Sequence, residues 1–187
     1  MPDPILIDTF SRLAMALGIG FLVGVERGWR HRDAPDGTRA AGLRTHAVIG
    51  LTGGVAGLLL PAVGALGFAA FTLAFAAAFV VFKWQESRHD QDLSVTGTIG
   101  GLLVYALGVY AMWGDLRIAA AVGVTLVGLM AFKEALHAWL EALTWKEIRS
   151  ALIILAATAI ALPLLPDQTI DPWDAINLRE LWLLTIL

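Results

Sequence analysis

The chain has 187 residues, of which 58% are hydrophobic and 16% charged, with a mean hydropathy of +0.73; a soluble domain of this size needs far more polar surface. The formal net charge of −3 gives no basis for a nucleic-acid partner. The absence of cysteine excludes a disulfide framework, thiolate zinc sites and a cysteine nucleophile.

Met1-Pro2-Asp3 lacks the basic start of a signal peptide. A helix crossing a hydrocarbon core of about 30 Å needs roughly 20 mostly apolar residues. Six segments meet or approach that. The first runs from Ile5 to Val25, with Asp3 placed to cap it and Pro4 at its first position. The second runs from Ala47 to Leu66 and the third from Phe68 to Phe82, joined by a very short connection near Gly64-Ala65-Leu66-Gly67. The fourth covers Val95 to Trp113 and the fifth Arg117 to Phe132. Beyond it, Leu136, Trp139, Leu140 and Leu143 recur at helical spacing, an amphipathic extension. Thr144-Trp145-Lys146-Glu147 reads as a capping box for the sixth segment, Ile148 to Leu165, which Pro163 bends or ends. Asn177-Leu178-Arg179-Glu180 is a second cap signal, followed by the apolar run Leu181 to Leu187. That run reads as a seventh span cut off after two turns, so the chain is expected to be the N-terminal part of a longer protein. The fold expected is all-α: a polytopic transmembrane bundle of about six spans plus the start of a seventh.

Ten of the thirteen basic residues fall in the loops after the first, third and fifth segments: Arg27, Arg30, Arg32, Arg39 and Arg44, then Lys83 and Arg88, then Lys133, Lys146 and Arg149. Only Arg12, Arg117 and Arg179 lie on the other side. The positive-inside rule makes those three loops cytoplasmic and puts the N-terminus outside. It also explains the arginine-rich loop without invoking nucleic acid.

The first segment carries most of the intramembrane charge. Asp8 and Arg12 are four apart with the acid first, the favourable order for a helical ion pair. Arg12 sits roughly 10 Å inside the segment at about 1.5 Å per residue. Glu26 follows Asp8 by five helical turns, so Asp8, Arg12, Glu26 and Arg30 share a face. Two readings follow: a polar pathway or ion site along that face, or interfacial anchors at each end with Arg12 snorkelling. A different face carries Gly20 and Gly24. Gly50 and Gly54 repeat the four-residue spacing in the second segment, and Gly97 and Gly101 in the fourth. Such stripes allow close helix packing, within one subunit or across a homodimer.

All four histidines (His31, His46, His89 and His137) fall on the expected cytoplasmic side. Glu86, His89, Asp90 and Asp92 form a polar cluster with metal-ligand residue types, but its spacing fits no specific site. Asp167, Asp171 and Asp174 offer hard oxygens, although Pro166 and Pro172 favour a plain turn. No Walker-type loop, serine triad or zincin motif appears, so no catalysis is expected and no cofactor is evident.

The run from Arg12 to Arg27, ending in Gly24-Val25-Glu26-Arg27, followed after a polar loop by Ala41-Gly42-Leu43-Arg44-Thr45-His46, resembles the opening of the MgtC/SapB family. The likeness covers the first third of the chain strongly and the next two spans by pattern. Lys133, His137, the charged run through Glu147, Leu162-Pro163-Leu164-Leu165-Pro166-Asp167 and Asn177 before Trp182 resemble a second membrane domain of unknown function that often follows. On this basis residues 1–132 form one domain and 133–187 the start of another. The resemblance implies a multi-pass bacterial inner-membrane protein linked to magnesium limitation, acid tolerance and survival inside host cells. It brings Glu26, Arg27, Arg44, Thr45, His46 and the glycines into the site hypothesis, with an ion pair between Glu26 and Arg44 as one physical role. The virulence-linked cysteine of some members has no counterpart here.

Two functions remain open at this level. One is cation homeostasis by transport or a channel-like route, with Mg²⁺ as ligand or substrate. The other is regulation without transport, through binding another membrane complex such as the ATP synthase, which some members are described as inhibiting. The bilayer itself, a second copy and a membrane-protein partner are the contacts to expect.

Overall fold

The computed structural model describes residues 3–30, 32, 41–90, 95–169, 171 and 176–186. Among these residues every regular element is a helix, apart from one isolated antiparallel bridge between Thr169 and Asn177. The helices are α1 (Pro4–Arg30), α2 (Leu43–Asp90), α3 (Thr96–Trp113), α4 (Leu116–Ala131), α5 (Lys133–Ala142), α6 (Trp145–Leu164) and α7 (Leu178–Ile186). The chain divides into two compact units, Met1–Lys133 and Glu134–Leu187.

Side-chain chemistry sets the helix ends. The Asp3 carboxylate accepts from Ile5 N at 2.9 Å, and Asp115 accepts from Arg117 N at 2.7 Å. Thr144 and Glu147 form the reciprocal box that their spacing predicts: Glu147 Oε2 accepts from Thr144 N at 2.7 Å and Thr144 Oγ1 from Glu147 N at 3.4 Å. Asn177 Oδ1 accepts from Arg179 N at 2.9 Å to open α7. Pro163 lies in the last turn of α6, which stops at Leu164.

Four helices are long and apolar enough to cross a membrane: Pro4–Arg30, Leu43–Arg88, Thr96–Trp113 and Trp145–Leu164. A fifth span results if α4 and α5 count together. The expected count was six. One source of the difference is α4, whose 16 residues fall short of the roughly 20 that a straight crossing needs. The other is α2, which merges the second and third expected segments into one element that leaves helical geometry only at Gly64 (φ 69°, ψ 177°). That backbone conformation is almost confined to glycine.

Contacts with α3 give the direction of the two arms of α2. Residues 43–63 run alongside α3 in parallel: Gly53 faces the Tyr105 carbonyl, and Trp113 Nε1 donates to Gly57 O at 3.0 Å. Residues 65–90 run back. Thr72 shares a 2.8 Å hydrogen bond with the Tyr105 hydroxyl, Phe79 covers Gly101, and Lys83 reaches Gly97. Phe75 stacks on Tyr105 with centroids 4.4 Å apart.

In the first unit α1 is central, packing on α2, α3 and α4. Its inward stripe of Ala16, Ile19, Gly20, Val23 and Gly24 is buried. Gly20 lies under the His46 carbonyl, Gly24 against the Leu43 backbone, and Gly50 under the Ala16 carbonyl. These stripes therefore bring backbones of one subunit together. Apolar side chains fill the remainder, with Val104, Ala111 and Ala119 fully enclosed and Met130 nearly so.

A side chain at Gly20 would have to displace backbone atoms of residues 46–47. Gly20→Leu is therefore expected to cost about 1–3 kcal/mol or more, against little change for Gly18→Leu, whose Cβ position faces open space. Thermal unfolding of both variants in detergent checks this.

Candidate functional site

The charged residues of α1 lie in two groups, one near each end. At the N-terminal end Arg12 Nε donates to Asp8 Oδ2 at 2.7 Å, the pair expected from their spacing. The same guanidinium also reaches across the bundle. Its Nη1 donates to Ala111 O at 2.9 Å and Gly114 O at 3.0 Å, at the C-terminal end of α3. Helix ends leave their last carbonyls without intrahelical donors, and in a bilayer no water replaces them. A cation there also meets the negative end of the helix dipole.

At the other end Glu26 is held on both oxygens. Arg27 Nε lies 2.7 Å from Oε2 and Arg30 Nη1 lies 3.6 Å from Oε1. The Glu26 and Arg27 side chains are only 10% and 14% exposed. Arg30 Nη1 also donates to Met130 O at 2.9 Å, at the last turn of α4. Each end of α1 thus carries an arginine that closes the carbonyl end of a neighbouring helix.

Glu26 follows Arg12 by fourteen positions, about 21 Å of helix. On the inward face this interval is filled by Ala16, Ile19 and Val23, all buried. The shared face is therefore charged only at its ends. Mg²⁺ prefers an octahedron of oxygens and keeps several waters. Glu26, with both oxygens held by guanidinium groups, fits that poorly. No group of three or more His, Asp or Glu among the described residues could hold a metal ion.

The start of α2 differs from its expected role. Arg44 and Thr45 are exposed. Arg44 makes no ion pair or hydrogen bond among the described residues, and Glu26 takes Arg27 and Arg30 as partners in its place. The reason is spacing: Arg30 is one turn from Glu26 on the same helix, whereas Arg44 points outward. His46 faces inward and is 1% exposed. Its Nδ1 lies 3.1 Å from Gly42 O, which fixes the proton on that nitrogen, and Nε2 has no hydrogen-bond partner among the described residues. Lys83, Arg27 and Glu26 are within electrostatic reach of the ring.

The remaining candidates separate. Lys83 pairs with Glu86 one turn away, with both side chains mostly buried. Asp171 accepts from Ile176 N at 2.7 Å, and Asp167 pairs with Arg179 at 3.5 Å, so both stabilise a turn. Pro2, His31, Arg39, Asp92, Pro172, Asp174 and Leu187, and the side chains of His89 and Asp90, lie outside the described residues. A Cβ added at Gly97 would lie 3.6 Å from Arg27 Nη1 and 3.7 Å from Lys83 Nζ. It therefore admits cations and not a helix backbone.

Sequence reasoning passed over Gly53 and Gly108, which carry the contact between α2 and α3. Gly50, Gly53, Gly54 and Gly57 place glycine on two faces of one helix, a signal that α2 packs closely on two neighbours. The lysine partner of Glu86 was legible as a pair three residues apart. The carbonyl contacts of Arg12 and Arg30 had no signal in the sequence, because their acceptors are backbone atoms about a hundred residues away.

Arg12→Gln removes two donors from partly buried carbonyls and a half-exposed ion pair. The expected loss is about 1–3 kcal/mol, mostly from the carbonyls. Arg117→Gln, which removes no side-chain hydrogen bond or ion pair among the described residues, is expected to change stability by less than about 0.5 kcal/mol. Thermal melts of the two variants in one detergent measure the difference.

No curated protein and no solved structure matches the chain. The sequence profile of the MgtC family matches residues 13–139, which takes in the glycine-spaced part of α1 from Leu13 onward, both arms of α2, α3 and α4. With its long apolar helices and that match across most of its length, the chain is a membrane protein and belongs to the MgtC family.

Proposed function

We propose that this protein is a non-transporting regulator in bacterial magnesium homeostasis and stress adaptation, acting on another complex of the inner membrane. The observation that carries the reading is the state of α1. Its one deep carboxylate, Glu26, is neutralised by Arg27 and Arg30, and apolar side chains fill the interval to Arg12. A cation moving along this face would have to displace guanidinium groups from Glu26 and then cross about 21 Å without a polar ligand. The charges instead do structural work at helix ends. The link to magnesium comes from family membership, and nothing in the reading requires a catalytic step.

The topology that goes with this reading has six spans, the two arms of α2 counting separately, with the N-terminus outside. Its support is the distribution of basic residues and the length of each arm. The regulatory partner is then a membrane protein that meets the bundle within the bilayer or at its basic face.

The test is calorimetric titration of the purified protein with Mg²⁺, wild type against Glu26→Gln, alongside Mg²⁺ flux in proteoliposomes. The regulatory reading expects no saturable binding that depends on Glu26, and flux no greater than in protein-free vesicles. It also expects Glu26→Gln to lower thermal stability, by about 1–3 kcal/mol, because two partly buried guanidinium groups lose the charged Glu26 carboxylate. Saturable binding abolished in the variant, or flux above background, would overturn the reading in favour of a transport site at α1.

A further inference from the structure

We propose that the groove between the two arms of α2 binds one anionic phospholipid, its phosphate held at Arg44 and Thr45 and an acyl chain lying along Val48, Phe75, Phe79 and Phe82. The groove has a volume of about 490 Å³, within the roughly 300–1,000 Å³ common for ligand sites. Gly64 folds α2 back on itself, and residues of both arms line the cleft far from that turn: Arg44 to Thr52 on one side and Phe75 to Phe82 on the other.

The lining is divided along its length. Arg44 and Thr45, in the first turn of the first arm, bring polar groups to one end. Further in, the walls are aliphatic and aromatic. Thr52 adds no free donor, because its hydroxyl donates to Val48 O at 2.7 Å. A cleft that is charged at one end and apolar along its length matches a lipid and does not match a soluble ion.

The charge at the mouth is available. At this end of the bundle Arg27 and Arg30 hold Glu26, Lys83 holds Glu86, and the Arg88 guanidinium lies 3.9 Å over the Trp84 ring. Arg44 has no such partner among the described residues. The first turn of a helix adds positive potential and open N–H groups at the same place. An anionic headgroup brings a net charge that Arg44 can neutralise, whereas a zwitterionic headgroup carries its own cation beside the phosphate. The location suits this as well: positive-inside reasoning puts Arg44 at the cytoplasmic surface, where anionic lipids concentrate. A second copy of the chain related by a two-fold axis through the groove would bring two unpaired Arg44 side chains together, which disfavours that occupant. The proposal needs only the membrane setting and stands apart from the choice between regulation and transport.

The test is native mass spectrometry of the whole chain in detergent, titrated with phosphatidylglycerol or phosphatidylcholine. Wild type is expected to retain phosphatidylglycerol about fivefold better, the effect of one basic residue near an anionic surface. Arg44→Gln, at an exposed side chain that folding does not depend on, is expected to abolish the preference, and Arg44→Lys to keep most of it. Ala78→Trp, which fills the cleft from an exposed position, is expected to lose retention of both lipids with helicity by circular dichroism unchanged. Arg117→Gln, of equal charge change, is expected to behave as wild type. An undiminished preference in Arg44→Gln would overturn the proposal. So would displacement of the lipid by millimolar inorganic phosphate, which would mean a free-anion site. Light scattering that showed a dimer lost in Ala78→Trp, with no lipid preference in wild type, would overturn it in favour of a second copy.

Discussion

The first unit depends on how closely α1 can approach the first arm of α2. Lipid tails are as apolar as leucine, so burial of apolar surface does not drive helices together within a bilayer. What remains is van der Waals contact, and that grows as backbones come nearer. Gly20 under the His46 carbonyl and Gly50 under the Ala16 carbonyl place the two helices almost backbone to backbone. The same device recurs between Gly53 or Gly108 and the facing backbone of the α2–α3 pair. Three helices are thus joined by glycine on both faces of residues 43–63, and α4 fits against the surface they leave, with Gly123 under Ile19.

Such packing leaves the helix ends to be satisfied. Two arginines of α1 do so in the same manner at opposite ends, Arg12 at the close of α3 and Arg30 at the close of α4. Each has a carboxylate partner on its own helix that balances its charge. The family motif that ends α1 thereby acquires a physical meaning. Glu26 pairs with and orients two guanidinium groups, and one of them anchors α4. A residue type that suggests ion conduction in isolation becomes, in this setting, part of a clamp. The apolar interval of Ala16, Ile19 and Val23 between the two clamps is the reason a regulatory role is favoured over a conducting one.

The second unit is built differently. Its helices bury no residue fully, and α6 and α7 are held by polar contacts at one end. Trp182 Nε1 donates to Thr158 Oγ1 at 3.2 Å, and Asp167 pairs with Arg179. Of the aspartates that resembled a cation site, Asp167 pairs with Arg179 and Asp171 accepts from Ile176 N within a turn. Apolar side chains such as Leu155 and Leu164, 68% and 75% exposed, suit contact with lipid or with further helices.

Much of the architecture was legible in the sequence because it rests on local rules. Helix existence followed from apolar runs, and the ends from Asp3, Thr144 with Glu147, and Asn177, whose side chains act within three residues. The Asp8–Arg12 pair is likewise a matter of one helical turn. The glycine spacing announced close packing, although not which backbone each glycine would meet. Only the tertiary structure decided the rest, and the reason is common to every case. The acceptors of Arg12 and Arg30 are carbonyls of distant helices, which no side-chain pattern encodes. Whether Glu26 would pair with Arg44 or Arg30 depended on which way the start of α2 faces. Arg44 turns outward and His46 in toward the core, two residues apart on one helix, because the bundle can cover only one of those faces.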